Sequence, residues 1–297
     1  MSYDVIVVGG SFAGLSAALQ LARARQRILL IDAGKPRNRF AGASHGFLGQ
    51  DGVAPERIMR EGVRQLRAYR NAQFIHGKAS DARAVDGGFE LRLEDGSTAQ
   101  CRRLVLATGV RDELPAIPGL RERWGNSVVH CPYCHGYEIA DQALGVLATH
   151  EASARQATLL ADWGPTTYFT QGRFEPDDEA KARMRARGVS IERSPLVAVL
   201  GEGDSIHAVQ LADGRTLPIK VMFTTSRTHM NSPLAAQLGC AFDQGHLGPY
   251  IRVDENKLTT VPGVYAAGDA ASPVYNATLA AASGVLAGQG AHQSLAW

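Results

Sequence analysis

An unbroken apolar run, Asp4-Val5-Ile6-Val7-Val8, stops at Gly9-Gly10-Ser11-Phe12-Ala13-Gly14 and gives way to Leu15–Arg25, rich in alanine and leucine. No other stretch constrains the fold as strongly. A continuous apolar strand wants cover on both faces, as in a parallel sheet, and the alanine-leucine stretch reads as the helix that covers one of them. Glycines between strand and helix let backbone N–H groups at the helix start face a pyrophosphate with no side chain in the way. Ser11 stands where that spacing has its middle glycine. A second apolar run, Ile28–Ile31, ends at Asp32, near the distance at which a carboxylate meets ribose hydroxyls. Strand, turn, helix, strand and acid in this order predict a dinucleotide-binding βαβ unit and an α/β chain.

Two glycine-bearing loops follow, Gly34-Lys35-Pro36-Arg37-Asn38-Arg39 and His45–Gly52, where backbone can approach a ligand. Pro55–Ala68 has the spacing of an amphipathic helix. Phe89–Leu93 alternates as a strand before a turn at Glu94-Asp95-Gly96, and Leu104–Ala107 is an apolar strand closed by Thr108-Gly109. Leu114-Pro115-Ala116-Ile117-Pro118-Gly119 reads as a linker.

Beyond it the design repeats. Leu144–Leu147, Ala152–Ala161 and Thr167–Thr170 follow the order strand, helix, strand. Leu211–Thr216 echoes the hairpin Leu93–Thr98, and Val221–Ser226 echoes Leu104–Gly109. Such self-similarity predicts two copies of one nucleotide-binding unit. The copies differ where the dinucleotide would lie: Gly9, Gly10, Ser11 and Gly14 correspond to Ala148, Thr149, His150 and Ser153, and Asp32 to Thr170. Side chains at these positions oppose a pyrophosphate, and Glu151 adds a negative charge. The second copy is therefore expected not to bind its dinucleotide in the usual way. The chain then returns to the first domain through the strand Val264–Ala267, Gly268-Asp269 and a helix over Asn276–Gly288. An acid just beyond a strand end can accept hydrogen bonds from a cofactor's ribityl hydroxyls.

Ahead of the second copy lies His130-Cys131-Pro132-Tyr133-Cys134-His135-Gly136. Two cysteines separated by two residues can close and reopen a small disulfide ring, and a neighbouring base or helix start lowers a thiol's pKa into the reactive range. The competing reading is a zinc site. Structural zinc takes four ligands, normally as two pairs well separated in sequence, whereas Cys101 and Cys240 are lone and read as buried apolar fillers. A redox pair without metal is the expectation.

The balance of 31 basic and 29 acidic residues, net +2, argues against a polyanionic partner such as nucleic acid. Arg183, Arg185 and Arg187 read as a solvated helix face. Met1–Asp4 lacks a basic leader and the run Val5–Val8 is far too short to span a bilayer, so neither a signal peptide nor a membrane span is expected. In the cytoplasm a Cys-x-x-Cys works as a catalyst rather than a staple, and that is the expected compartment.

The N-terminal fingerprint, Ala107-Thr108-Gly109, the mid-chain Cys-x-x-Cys and Gly268-Asp269 come in the order found in low-molecular-weight thioredoxin reductases, which nearly the whole chain resembles. It looks in particular like the branch with Cys-Pro-Tyr-Cys-His, which includes dithiol oxidases of natural-product pathways and relatives that do not use pyridine nucleotide. The resemblance implies two Rossmann-like domains in a homodimer: an FAD-binding domain, residues 1–112 and 230–297, interrupted by a pyridine-nucleotide-type domain, 113–229, that carries the cysteines. Gly9, Gly10, Ser11, Phe12, Ala13, Gly14, Asp32, Ala33, Gly34, Arg39, Ala107, Thr108, Gly109, Gly268 and Asp269 would then hold FAD, with Asn276 near the isoalloxazine and Trp297 able to stack on it.

Departures from the family pattern shape the functional expectation. The family usually has an aspartate after the second cysteine; here stands His135, an imidazole that titrates near neutral pH and is the expected general acid/base. The NADPH fingerprint is degenerate, and of the family's arginine pair for a 2′-phosphate only Arg173 lies near the corresponding strand end. The chain is expected to be an FAD-dependent enzyme that moves electrons between FAD, the Cys131–Cys134 pair and an external thioredoxin-like protein or small dithiol or disulfide. Oxygen, ferredoxin or a second flavin would replace NADPH as electron partner. The alternatives are an NADPH-dependent thioredoxin reductase and a flavin-binding redox-sensing or partner-binding protein without turnover.

Overall fold

The computed structural model describes Ser2–Ala296, so the expectation for Trp297 lies outside the described residues. The chain is α/β and divides into two compact units, Met1–Arg39 with Ala54–Arg111 and Thr228–Trp297, and Phe40–Val53 with Asp112–Arg227.

In the first unit β1 (Ser2–Val8), β2 (Ile28–Asp32), β3 (Ala72–His76), β4 (Ala79–Val85), β5 (Gly88–Leu93) and β6 (Thr98–Leu106) form one sheet in the order β3-β2-β1-β6-β5-β4, and the strand Val264–Ala266 pairs with β6. β1 runs parallel to both β2 and β6, with Val8 opposite Ile31 and Leu106. Its apolar residues Val5, Ile6 and Val7 are fully buried because the sheet is covered on both faces. One cover is α1 (Phe12–Arg23) packed with the C-terminal helix Ala277–Ala296; Ala17, Ala18, Leu21, Ala287 and Ala291 share one apolar cluster with Val5 and Val7. The other cover is built from β4, β5 and the segment around Leu234–Cys240. The amphipathic stretch becomes α2 (Pro55–Arg67), with Pro55 at its first turn. The C-terminal helix runs well past the expected Gly288, since the residues that follow still bury Gly290 and Ala291.

The second unit is built on a fully parallel sheet in the order Ser190–Glu192, Thr166–Phe169, Leu144–Leu147, Val221–Thr224, Val128–Val129. A short antiparallel sheet, Leu196–Leu200, Ala208–Leu211 and Thr216–Leu217, packs beside it. The stretch Leu114–Gly119 is not a loose tether: Leu114 is buried with Leu120 in the second unit's core, and Val199 N–H donates to the Pro118 carbonyl at 2.9 Å. Two prolines suggest a linker, but flanking apolar residues decide where the segment goes. Arg183 and Arg187 lie on or just after the helix Asp178–Ala186 and pair with Glu179 and Asp162, a solvated face as expected. Among the described residues no helix is long and apolar enough to cross a membrane.

Candidate functional site

The residues expected to hold FAD all lie in the first unit. Gly9 adopts φ +105°, and a Cβ there would fall 2.2 Å from the Ala107 carbonyl oxygen; a Cβ on Gly14 would fall 1.7 Å from the Gly9 carbonyl oxygen. Close backbone approach requires glycine at both, and at Gly9 the positive φ requires it as well. Ser11 precedes α1 in an extended conformation without capping it through its side chain, Phe12 opens the helix, and Ala13 is buried in its first turn. Gly10 N–H donates to Asp32 Oδ1 at 2.9 Å and Gly34 N–H to Asp32 Oδ2 at 3.2 Å. A carboxylate has about four lone-pair sites, so two backbone bonds orient Asp32 while leaving it able to accept from ribose hydroxyls. Ala33, Gly34 and Arg39 are exposed in the loop beyond.

Ala107 N–H donates to the Val8 carbonyl at 2.8 Å, which brings the end of β6 alongside the glycine turn. Asn231, which sequence reasoning passed over, donates to the Thr108 carbonyl from its side chain at 3.2 Å and to the Gly109 carbonyl from its backbone at 3.3 Å. Gly268 N–H donates to Ser283 Oγ at 2.9 Å. Asp269 forms a 2.9 Å ion pair with Arg37, another unforeseen residue. Asn276 caps the C-terminal helix, its Oδ1 accepting from Thr278 and Leu279 N–H at 2.8 and 3.2 Å. The bare glycine turn, the oriented acid and the helix start behind them fit a dinucleotide such as FAD.

In the second unit Cys131 and Cys134 are joined in a disulfide, with Cα atoms 5.3 Å apart. The bond is made possible by one short turn of helix, α3 (Pro132–His135), which starts at the first cysteine and ends just past the second. Gly136 closes the turn against Trp163: a Cβ there would lie 2.6 Å from the indole nitrogen, so the missing side chain lets the ring pack against the end of this turn. Trp163 also meets the Tyr133 ring edge-on at 5.8 Å. Tyr133 and Tyr137 are 73% and 87% exposed, leaving aromatic surface on either side of Cys134. His130 stacks on Trp124 at 5.9 Å, the packing role it shares with any aromatic neighbour.

His135 is partly buried, and burial holds its pKa below the ordinary 6.5; Glu138 pulls the other way and His45 adds to the lowering. His45 arrives on the segment Phe40–Val53, and its Nε2 lies 3.5 Å from Glu138 Oε1. Cys101 and Cys240 are free and buried; desolvation pushes the Cys101 thiol up to about 12. Among the described residues no cluster of histidine, cysteine and carboxylate side chains has the makings of a metal site.

The second unit's turn after Leu144–Leu147 differs in kind from the first. Ser153, fully buried at the start of α4 (Ser153–Leu160), accepts through Oγ from Thr149 N–H at 3.3 Å and His150 N–H at 3.4 Å. Thr149 Oγ1 meets Thr225 Oγ1 at 2.5 Å across the neighbouring strand end. Two backbone donors of this turn are thus directed at the chain's own side chain.

A family profile described as pyridine nucleotide-disulphide oxidoreductase matches residues 3–152 and 170–284. Among curated proteins, thioredoxin reductase tcpT of Claviceps purpurea (strain 20.1) is 31% identical across 98% of this chain and 94% of its own length. Thioredoxin reductase sirT of Leptosphaeria maculans is 29% identical across 97% of this chain and 93% of its own. Among solved structures, an oxidoreductase from Agrobacterium tumefaciens is 46% identical with a TM-score of 0.95, covering 100% of this chain and 99% of that one.

Proposed function

Because the chain belongs to the pyridine nucleotide-disulphide oxidoreductase family and is an FAD-dependent oxidoreductase acting on a sulfur group, we propose that it passes electrons between FAD, the Cys131–Cys134 pair and an external dithiol or disulfide without NADPH. The observation that carries the NADPH-free part is the second turn, where Ser153 Oγ occupies the Thr149 and His150 N–H groups. A phosphate there would have to displace a buried side-chain acceptor and approach Glu151. Bound FAD supplies the exchange of an electron pair with the cysteine pair.

The chain's own residues handle the thiol chemistry. In the oxidising direction a substrate thiol gives its proton to neutral His135 and attacks Cys131; the Cys131–Cys134 bond breaks and Cys134 leaves as thiolate. The second substrate thiol then attacks the substrate sulfur of the mixed disulfide, releasing oxidised substrate and the Cys131 thiol. Two electrons and two protons leave the substrate, and both cysteines are reduced. A base held neutral at pH 7 by burial suits the first step. We assign exchange with substrate to Cys131 and electron exchange with flavin to Cys134, an assignment in which the two roles can be swapped. The external partner is a thioredoxin-like protein or a small dithiol, and oxygen, ferredoxin or a second flavin completes the circuit. In this reading the protein acts in the cytoplasm as a homodimer.

The names of the fungal relatives favour a second reading, an NADPH-dependent thioredoxin reductase. Anaerobic mixing of the yellow protein with NADPH, and separately with dithiothreitol, divides the two. Bleaching of the flavin band by dithiothreitol, lost in Cys131→Ser and Cys134→Ser, is expected. Rapid, saturable bleaching by NADPH would sink the nicotinamide-free reading.

A further inference from the structure

Asp269 stands in a demanding place for a carboxylate. Gly268, just before it, packs on the first turn of α1: a Cβ there would come 2.9 Å from the Ala13 Cβ. Asp269 is thereby carried close to the helix start behind the glycine turn, where a pyrophosphate binds. Two negative charges in partly buried surroundings repel several times more strongly than they do in water. The structure sets a guanidinium against this carboxylate. Arg37 Nη1 lies 2.9 Å from Asp269 Oδ2, with the two side chains only 16% and 20% exposed. The same guanidinium sits 4.2 Å over the Tyr275 ring, and the Tyr275 hydroxyl meets the buried Thr228 Oγ1 at 2.8 Å. Arg37 is therefore held in place by a carboxylate and by an aromatic face that is itself anchored.

We infer that Arg37 is a positioning residue for the flavin cofactor: it neutralises Asp269, so that an ionised carboxylate can accept hydroxyl hydrogen bonds beside a diphosphate without repelling it. The inference rests on the reading that this unit holds FAD. It goes further in assigning to the loop after β2 a charge-balancing role that the glycine turn, whose donors are neutral backbone groups, does not supply. Stacking on Tyr275 fixes the plane of the guanidinium, and the Thr228 contact fixes Tyr275.

The test is a double-mutant cycle on FAD affinity rather than on turnover. Apo-protein of the natural chain, Arg37→Gln, Asp269→Asn and the double variant is titrated with FAD by flavin fluorescence, and thermal unfolding of each apo form is recorded alongside. Arg37→Gln is expected to weaken FAD binding by about tenfold or more, the scale for leaving a partly buried charge without its partner. Asp269→Asn costs less, and adding it to Arg37→Gln restores most of the affinity because no uncompensated carboxylate remains. Arg37→Lys, which keeps the charge, retains most of the affinity. The inference is overturned if Arg37→Gln binds FAD like the natural chain, if the double variant binds no better than Arg37→Gln, or if Arg37→Lys loses as much as Arg37→Gln. A large drop in apo melting temperature with unchanged affinity would also overturn it, marking a fold staple. Failure of the natural apo-protein to take up any FAD would remove the cofactor reading itself, and this role with it.

Discussion

The two units carry the same strand-turn-helix design with opposite fillings. Between β1 and α1 the backbone turns on glycines so tight that a single methyl group would collide with a carbonyl oxygen. Between Leu144–Leu147 and α4 the same turn is occupied by Thr149, His150 and Ser153, and its N–H groups are satisfied from within. A Rossmann turn binds phosphate only while its backbone donors remain exposed. The comparison teaches that one nucleotide-type fold can keep its sheet and core while its turn is filled by different side chains. The second unit also carries a disulfide, a partly buried imidazole and exposed aromatic surface.

Substitution in the first turn gives the largest expected effect. Gly14→Val drives side-chain atoms into the Gly9 carbonyl, so a loss of about 4 kcal/mol or more is expected together with loss of the yellow colour. Purified protein retaining stoichiometric flavin would break the contrast between the turns. Next comes His135→Gln, expected to lower dithiol turnover about 100-fold while leaving bound flavin unchanged. Because burial holds the folded pKa below 6.5, His135 is neutral at pH 7 and takes up a proton only as pH falls below that value. Natural turnover should therefore fall along an acid limb that the variant lacks. Stability has the same sign: the unfolded imidazole protonates first, so this contribution is present above 6.5 and is lost as pH falls.

Ser153→Ala in the second turn is expected to cost only about 1 kcal/mol in urea unfolding, the worth of an internal hydrogen-bond acceptor. It should leave turnover unchanged; a turnover loss as large as that of His135→Gln would mean that the second turn still works. Smallest is the response of Cys101. With its thiol pushed up to about 12 by burial, it should resist alkylation at pH 8 in the folded oxidised protein and react only after denaturation. Mass spectrometry of the labelled peptide reads this directly.

The legible parts of the fold were those whose causes are local. Val5–Val8 reads as a buried strand, and the glycines after it as a tight turn, because each depends on residues within one turn of chain. The positions of Ala148, Thr149, His150 and Ser153 opposite the first turn's glycines were equally open to sequence comparison. That Ser153 caps the turn from inside was not, because a serine at a helix start more often satisfies its own helix. Asn276, expected near the isoalloxazine, has its oxygen engaged in capping the C-terminal helix, a use of asparagine that sequence spacing also allows. Asn231 carried no signal: its role exists only because the chain returns to Thr108 and Gly109 from far downstream.

By itself the sequence determined the α/β class, the internal duplication, the glycine turn with its acid, and a cysteine pair close enough to bond, all products of short-range periodicity and spacing. Only the tertiary structure decided that Phe40–Val53 clusters with the cysteine unit and brings His45 to Glu138. It also decided that Arg37 meets Asp269 across 232 positions, and that His135 is buried enough to be held neutral. These depend on which distant surfaces exclude water together, and burial, unlike spacing, is a property of the folded packing rather than of any stretch of chain.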